Sequence, residues 1–467
     1  MMKNMIQDTN YTLYTDFYEI NMAYIYFKEN MHEKKAIFDV FYRKNPFDGG
    51  YCVFMGLEKI INIINNWHFS DEQINYLRTL NNYDEDFLNY LKNIKFSGNI
   101  FSMQEGEIIF ANEPIMRIEA NIIEAILLET IILNILNYQV LIATKASKIV
   151  SVTNKQLIDF SARRSMETEA SLWGNRASYI VGFSATSLLE AGKKFNIPVI
   201  GTHAHSFVQA FVDEKKAFAT YAKYMDKNSF LVDTYNIKTG IDNAIDLIKE
   251  QKINVDSVRI DSGDLAKYAK YIRKKLDDNN LNKIKIIASN DIDENAILDL
   301  EAQNAPIDIY GIGTKLASCS GCESIGIVYK MVNFNECDVI KISNSKDKIS
   351  IPGIKNIYRI KNDNKAQFDL ITLHQLNNKN DEVIINQKLL EKENIKINEY
   401  RELLKQIYAN GKLIYKIPSV DEIKKFHFDV KKEFNNEILR YKKPEEYQVY
   451  INEEIYDLRK KLIKERS

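Results

Sequence analysis

Six short apolar runs in the middle of the chain each end in a cluster of polar residues, and helix-like stretches lie between them. The runs are Leu157–Phe160, Val199–Thr202, Phe230–Val232, Val258–Ile260, Ile284–Ala288 and Ile307–Tyr310. A repeated unit of strand, polar tip and helix is typical of an α/β barrel, in which catalytic residues lie at the C-terminal ends of the strands. Because polar clusters follow all six runs, the pattern predicts an enzyme.

The segments on either side of this pattern mix helices and strands. Phe38–Tyr42 alternates as a strand does, and Phe54–Trp67 has the apolar spacing of a helix. Towards the C-terminus we expect short strands in Lys341–Leu376 and a polar loop at Asn377–Asn380, and we expect Val420–Glu465 to be mostly charged amphipathic helix. These patterns divide the chain into three segments, an N-terminal α+β segment (1–145), the α/β barrel (146–332) and a C-terminal segment (333–467).

Length and charge narrow the class of protein. The chain has 467 residues, of which 45% are hydrophobic, so it can bury a large core and is expected to form two or more packed units. Its 63 basic and 64 acidic residues give a formal net charge of -1. That balance gives no reason to expect a nucleic acid or an anionic membrane as a partner. An anionic ligand would need a local cluster of cations.

The sequence predicts neither a membrane span nor an export signal. The most apolar stretch, Ile122–Ala143, contains Glu124, Glu129 and two asparagines, which would be costly in lipid, so we expect a buried or interface helix. The N-terminus, Met1–Asp8, lacks the basic and then apolar pattern of a signal peptide. A cytoplasmic location is the expectation.

Four cysteines are too few to build a disulfide framework in a chain of this length. Cys319 and Cys322 form a CxxC pair, a spacing that can bind a metal or cycle between thiols and a disulfide. No second CxxC lies nearby, so we expect reduced thiols.

Gly311–Lys315 follows an apolar run and reads Gly-Ile-Gly-Thr-Lys. Gly311 and Gly313 would let the backbone approach a ligand, successive N–H groups can bind a phosphate, and Thr314 adds a hydroxyl donor. An ordinary glycine turn would have the same sequence. The chain has no GxxxxGK[ST] motif, so it gives no support for a P-loop nucleotide site.

Asp261 and Asp264 place two carboxylates on a tight turn at a strand end, where they could accept from ribose hydroxyls or hold a hydrated Mg²⁺. Arg259 lies two residues before Asp261, so both side chains are expected on one face of the strand. A structural ion pair that closes the barrel is the alternative.

Phe160 precedes Arg163 at another strand end, so an aromatic ring that can stack on a substrate lies beside a guanidinium that can bind a carboxylate or phosphate. The alternative is a core phenylalanine with solvated arginines.

His203 and His205 follow the second apolar run, and Asp233 follows the third. The His-x-His spacing suits a metal site, which Asp233 could complete. In a second interpretation, one histidine accepts a phosphoryl group and a nearby carboxylate fixes its tautomer. In a third, one or both are core histidines.

Taken in order, these segments resemble the nicotinate phosphoribosyltransferase family over nearly the whole chain. The matching segments are Thr15–Glu19, Phe41–Phe47, Thr130–Lys145, Phe160–Gly192, Gly201–Ser206, Leu231–Tyr235, Arg259–Asp264, Gly311–Lys330 and Leu458–Leu462. The resemblance implies an irregular type II phosphoribosyltransferase α/β barrel and a second α+β domain formed from both chain ends, with 333–467 packing back on 1–145. It also implies a homodimer with shared active sites.

The implied reaction joins nicotinate to phosphoribosyl pyrophosphate, giving nicotinate mononucleotide and pyrophosphate in NAD salvage. It would be coupled to ATP hydrolysis, with Mg²⁺ as cofactor. The resemblance makes His205 the histidine that ATP phosphorylates, with Asp233 as its partner. The phosphohistidine would favour a closed, tight-binding state and would not attack the substrate.

The other implied roles belong to substrate binding. Asp261, with Asp264 nearby, would bind the ribose hydroxyls, and Gly311, Gly313 and Thr314 the 5′-phosphate. Arg259 would bind the nicotinate carboxylate, and Arg163 would bind a carboxylate or phosphate. Phe160 would stack on one face of the nicotinate ring, and the partner subunit's Tyr18 would cover the other face. Arg43, Lys44 and Lys330 are further candidates for pyrophosphate or the ATP phosphates.

Ser187 bears on the choice between acid and amide. In the related nicotinamide enzyme an aspartate falls at this position, where it would accept from an amide and repel a carboxylate. Serine lacks that repulsion, which favours nicotinate.

Three alternatives remain at the level of sequence. A zinc-dependent hydrolase barrel would need further histidines at later strand ends, but Ser289–Asp291 and Gly311–Thr314 contain none. A quinolinate-using phosphoribosyltransferase would share the barrel and need neither ATP nor a phosphorylated histidine. A catalytically silent relative would serve as a binding protein.

Overall fold

A computed structural model describes residues 10–345, 348–376 and 381–466. The chain divides into two units. The first contains Met1–Leu141 together with Ser324–Ser467, and the second contains Ile142–Glu323. The expectations for Met1–Asp8 and Asn377–Asn380 fall outside the described residues.

Helices and strands occur along the whole described chain. The helices are α1 (Phe17–Lys28), α2 (Leu57–Asn65), α3 (Asp71–Thr79), α4 (Glu85–Asn93), α5 (Ile122–Leu127), α6 (Glu129–Ser151), α7 (Thr168–Val181), α8 (Leu189–Phe195), α9 (His205–Phe211), α10 (Glu214–Tyr224), α11 (Ile237–Gln251), α12 (Leu265–Asp278), α13 (Glu294–Ala302), α14 (Thr314–Ala317), α15 (Val420–Lys431), α16 (Asn436–Leu439) and α17 (Glu453–Arg466). The strands are β1 (Lys35–Phe41), β2 (Cys52–Val53), β3 (Asn99–Ser102), β4 (Ile108–Ile109), β5 (Met116–Asn121), β6 (Gln156–Asp159), β7 (Ala185–Thr186), β8 (Ser229–Leu231), β9 (Ser257–Ile260), β10 (Lys285–Ala288), β11 (Ile309–Ile312), β12 (Val328–Phe334), β13 (Cys337–Asp338), β14 (Asn356–Asn362), β15 (Lys365–Thr372), β16 (Asp381–Asn386), β17 (Lys392–Lys396), β18 (Glu399–Glu402), β19 (Lys405–Ala409), β20 (Lys412–Leu413) and β21 (Val449–Asn452).

The second unit is built around a curled parallel sheet with the strand order β7, β6, β11, β10, β9, β8. Every pair of neighbours in this sheet is parallel. Parallel neighbours need crossover connections, and the intervening helices supply them. The expected irregular α/β barrel is confirmed, here as a half-barrel.

The structure corrects two of the predicted strands. Val199–Thr202 is not a strand and forms one bridge, from Val199 to Thr186 of the two-residue strand β7, which lies beside β6. β11 ends two residues later than predicted, so Gly311 lies inside the sheet, where it pairs with Ile158.

The first unit confirms the second α+β domain built from both chain ends. Its seven-stranded sheet has the order β13, β12, β1, β5, β3, β19, β20, in which strands from the two chain ends are neighbours. β1 pairs with β5 and β12, and β3 pairs with β19. A six-stranded sheet follows the order β17, β16, β21, β15, β14, β18 and comes from the C-terminal segment.

Val420–Glu465 is mostly helical, as predicted, but a strand interrupts the helices. α15 and α16 are followed by the strand β21, and α17 begins only at Glu453. β21 lies between β15 and β16 with Ile451 fully buried, so pairing within the sheet overrides the helical pattern there.

The apolar stretch near residue 130 forms α5 and α6. Ile122–Ser151 is long and apolar enough to cross a membrane, but 67% of its most apolar window is buried inside the protein. Such burial is typical of a core helix.

Arg359 on β14 is a fully buried cation that joins distant parts of the first unit. Its guanidinium donates to the two carboxylate oxygens of Asp369 at 3.0 and 2.7 Å, to Glu107 at 2.5 Å and to the Ile108 carbonyl at 2.8 Å. Glu107 also accepts from Arg401 at 2.6 Å. Burial would raise the pKa of Glu107, but Arg359 and Arg401 lower it, so its carboxylate is ionised.

Arg359→Gln should lower the free energy of unfolding of the first unit by about 3–5 kcal/mol, because it leaves buried carboxylates without their cation. Denaturant unfolding followed at Trp67, which lies in the first unit, measures the loss. Lys432→Gln breaks only an exposed pair with Asp429 and should leave the midpoint unchanged. Equal midpoints for the two variants would contradict the role given to Arg359.

Candidate active site

The polar residues that follow the strands of the second unit meet at one edge of its sheet. Since all neighbouring strands are parallel, their C-terminal ends point the same way. Such an edge is where ligands bind in open α/β sheets. The side chains at this edge are also hydrogen-bonded to one another.

Asp233, after β8, is a buried carboxylate that holds the loop after β9. Its Oδ2 accepts from the Asp261 backbone N–H at 2.9 Å and from the Ser262 hydroxyl at 2.6 Å. Its Oδ1 is also buried and has no hydrogen-bond partner among the described residues. Ser289, after β10, donates to Asp261 Oδ1 at 2.6 Å. Three neighbouring strand ends are thereby tied around Asp261, and Ser289 had no predicted role.

Arg259 on β9 lies beside the ring of Phe160, with its guanidinium carbon 5.8 Å from the ring centroid. One terminal nitrogen donates to Thr202 Oγ1 at 2.6 Å, and the other lies 3.8 Å from Asp261 Oδ2. This confirms that Arg259 and Asp261 share a strand face. Burial lowers the pKa of Arg259, and the carboxylates of Asp261 and Asp233 oppose that shift.

Gly311 makes room for the Phe160 ring. A Cβ at Gly311 would lie 2.5 and 2.6 Å from two ring carbons, a distance that real Cβ atoms essentially never show. The ring therefore lies directly against β11, and Gly311 is buried beneath it. This corrects the expectation that Gly311 contacts a phosphate. Gly313 and Thr314, where α14 begins, are partly exposed and keep that candidate role.

His205 is the first residue of α9, and its side chain is 40% exposed. Its Nδ1 lies 3.2 Å from the Thr234 hydroxyl, and its Nε2 lies 3.9 Å from Asp261 Oδ2. The structure therefore places Thr234, and not the expected Asp233, beside His205, because Asp233 is engaged with the Asp261 loop. Thr234 was missed, although it belongs to the same strand end as Asp233.

His203 is a core histidine. It is buried among the rings of Phe207, Phe218, Tyr221 and Phe230. Its Nε2 accepts from the backbone N–H of Leu231 at 3.2 Å, and burial lowers its pKa to about 4.

The bond from Leu231 shows that His203 is neutral and that its Nε2 is occupied. His203 and His205 therefore do not act together as metal ligands. Over the described ranges, no three His, Cys, Asp or Glu side chains are grouped so as to hold a metal ion.

Three further candidate residues of the second unit are Ser187, Arg163 and Asp264. Ser187 is exposed and donates through both its N–H and its hydroxyl to the Asp159 carbonyl, at 3.0 and 3.3 Å. Arg163 is exposed on a 3₁₀ turn, and its charge contributes to lowering the pKa of Arg259. Asp264 caps α12 by accepting from the Lys267 N–H at 3.0 Å, so one of its oxygens is engaged.

The remaining candidates belong to the first unit. Tyr18 on α1 is 49% exposed, and burial followed by nearby carboxylates raises its pKa to about 12. Arg43 lies with its guanidinium carbon 5.4 Å from the Phe41 ring centroid, and Lys44 is exposed. Lys330 on β12 donates to the Tyr329 carbonyl at 2.8 Å, and burial lowers its pKa.

The CxxC pair lies after α14. Cys319 is buried and Cys322 is half-buried, and neither is in a disulfide bond. Burial raises the pKa of the Cys319 thiol to about 12, which disfavours the reactive thiolate.

His203→Leu should lower the free energy of unfolding of the second unit by about 1–3 kcal/mol, because the buried Leu231 N–H loses its acceptor. His203→Gln keeps an acceptor and should recover part of that loss. Unfolding followed at Trp173, the tryptophan of the second unit, compares the two. A leucine variant as stable as the wild type would show that this hydrogen bond is dispensable.

Comparison with known proteins identifies the family. Models of the nicotinate phosphoribosyltransferase N-terminal domain, family and C-terminal domain match residues 13–137, 155–389 and 354–459. The chain is 43% identical to the nicotinate phosphoribosyltransferase of Bacillus subtilis, over 98% of this chain and 96% of that protein.

Two solved structures share the fold. Human nicotinic acid phosphoribosyltransferase has a TM-score of 0.85 at 23% identity, covering 96% of this chain and 99% of that one. Nicotinate-nucleotide pyrophosphorylase of Pyrococcus furiosus has a TM-score of 0.73 at 21% identity, covering 93% and 99%. Because both likenesses are below 25% identity, they show the fold alone, and the family rests on the sequence matches. By those matches, the chain belongs to the nicotinate phosphoribosyltransferase family.

Proposed function

We propose that the protein transfers the phosphoribosyl group of phosphoribosyl pyrophosphate to nicotinate, giving nicotinate mononucleotide and pyrophosphate for NAD salvage. The observation that carries this proposal is the pairing of Arg259 with Phe160 at the strand ends. The guanidinium suits the nicotinate carboxylate, and the ring suits the face of a pyridine. Ser187 adds no negative charge that would repel the acid.

The neighbouring groups suit the ribose and its phosphate. Asp261 Oδ2 has only long contacts, at 3.8 and 3.9 Å, so it can accept from ribose hydroxyls, while Gly313 and Thr314 would bind the 5′-phosphate. Positive charge develops on the ribosyl carbon as pyrophosphate leaves, and a fixed carboxylate nearby would stabilise it. Asp264 would support the same turn as the cap of α12.

A Mg²⁺ ion fits these residues. Mg²⁺ bound to phosphates keeps several waters and needs only one or two protein carboxylates. Asp233 Oδ1, which has no hydrogen-bond partner within the described ranges, and Asp261 Oδ2 are the oxygens that could serve it. When bound, the ion would neutralise charge on the leaving pyrophosphate.

We further propose that ATP phosphorylates His205 and that the phosphohistidine favours tight substrate binding. The exposure of the ring supports access for a phosphoryl donor, and the Thr234 hydroxyl at Nδ1 would fix its orientation, which leaves Nε2 as the acceptor. Arg163 would bind a carboxylate or phosphate at the same edge.

The remaining parts of the proposal concern the first unit. Arg43, Lys44 and Lys330 would bind pyrophosphate or the ATP phosphates. Tyr18 would cover the nicotinate ring from the partner subunit of a homodimer, and its large exposed ring is available for such a contact. We place the enzyme in the cytoplasm.

The test is a coupled assay with phosphoribosyl pyrophosphate, Mg²⁺ and one of nicotinate, nicotinamide or quinolinate, with and without ATP. The expected result is nicotinate mononucleotide from nicotinate, faster with ATP and accompanied by phosphate release. Product from quinolinate alone would overturn the substrate assignment. Product from nicotinate without any effect of ATP would overturn the coupling.

Gly311→Ala should lower kcat/KM for nicotinate on the order of 10- to 100-fold, because the new methyl group displaces the Phe160 ring from β11. Gly201→Ala is the matched control, since a Cβ there meets nothing within 4 Å. Steady-state kinetics on both variants measure kcat/KM for nicotinate. Equal losses in the two would argue against Phe160 as the surface for the pyridine ring.

His205→Ala should abolish ATP hydrolysis and acid-labile phosphorylation while leaving slow, ATP-independent transfer, because the phosphoryl acceptor is gone and the rest of the site stays. Radiolabelled ATP and product formation measure the two effects. Ser206→Ala changes an exposed neighbour on α9 and should behave as the wild type. A His205→Ala enzyme that still couples ATP to transfer would disprove the assignment.

A further inference from the structure

The first unit contains a cavity of about 690 Å³ that is rich in positive charge. Sixteen of the described residues line this cavity; six of them are lysine or arginine, and Asp39 is the one acidic residue in that described lining. The Asp39 carboxylate lies 2.6 Å from Lys355 Nζ, and both side chains are buried. That pair is internally neutral, so it does not balance the other cations.

Arg43 and Arg459 each have a buried guanidinium nitrogen at this cavity. Nε of Arg43 and Nε of Arg459 are each shielded from solvent and have no hydrogen-bond partner among the described residues. Both residues line the cavity. A buried donor without a partner is costly, and a pair of like charges in one cavity adds repulsion. An anion bound between them would relieve both costs.

The surroundings indicate what kind of anion fits. Lys44 and Lys460 are exposed on the cavity lining, and Lys460 Nζ lies 4.4 Å from the centre of the Tyr456 ring. Lys388 lies in an ion pair with Glu446, so its charge is already balanced. Two arginines with two lysines match a group with several charged oxygens, and phosphates have that chemistry.

We propose that this cavity binds a phosphate-bearing anion and that Arg459 and Lys460, on the C-terminal helix α17, contribute to it together with Arg43 and Lys44. No role for α17 follows from the sequence or from the proposed function. The presence of an anion site in this cavity does not depend on the proposed function. The choice of pyrophosphate or an ATP phosphate as its occupant rests on the proposed function.

Calorimetric titration of the full-length protein with inorganic phosphate, pyrophosphate or ATP, without nicotinate, tests the proposal. Arg459→Gln should weaken binding of the tightest of these by at least about tenfold, because a charge-assisted donor is lost. The matched control is Lys461→Gln, whose side chain is 70% exposed on the same helix and does not line the cavity. It should change affinity less than about twofold, since an exposed charge contributes little.

The relative affinities for phosphate, pyrophosphate and ATP distinguish the possible sources of the anion. Preference for pyrophosphate or ATP indicates a substrate or product group, and equal binding of phosphate indicates a free-phosphate site; either supports the proposal if Arg459→Gln reduces it. Unchanged affinity in that variant, or no binding of any of the three anions by the wild type, overturns the proposal.

If Arg459→Gln unfolds, as circular dichroism would show, Lys460→Gln is tested in its place. Its affinity should be at least about threefold weaker, and an unchanged affinity would again overturn the proposal. An Arg459-dependent anion site in a protein without transfer activity would refute the proposed function alone.

Discussion

The site depends on one constraint, the common direction of the strands in the second unit. Parallel strands bring residues that are far apart in sequence to the same edge, and Asp233, Asp261 and Ser289 then hydrogen-bond across strand ends. Each of these bonds adds a side-chain link between neighbouring strand ends. The carboxylate of Asp261 is therefore oriented from two sides before any ligand arrives, and such pre-organisation lowers the cost of stabilising charge during a reaction.

Much of this arrangement could be predicted from the sequence because it has local signals. Apolar runs with polar ends located the strands after which Phe160, Asp233 and Asp261 lie, and two-residue spacing placed Arg259 beside Asp261. The resemblance to a family supplied the roles. Local signals failed at Gly311, which the sequence predicts as the start of a loop and the structure places inside β11.

The parts that could not be predicted depend on contacts between distant residues. His203 resembles a metal ligand in sequence, but its aromatic neighbours come from α9, α10 and β8. Thr234 became the neighbour of His205 because Asp233 was already engaged. Likewise, nothing near Arg459 in the sequence shows that it shares a cavity with Arg43, more than four hundred residues earlier.

The hydrogen bond from Leu231 to His203 has a consequence for association between chains. β8 is the last strand at its end of the parallel sheet, and the N–H groups along such an edge can pair with a strand of another molecule. The imidazole occupies one of those donors, and the surrounding aromatic rings cover it. A side chain best known for catalysis and metal binding here keeps a backbone donor at the end of the sheet from pairing with another strand.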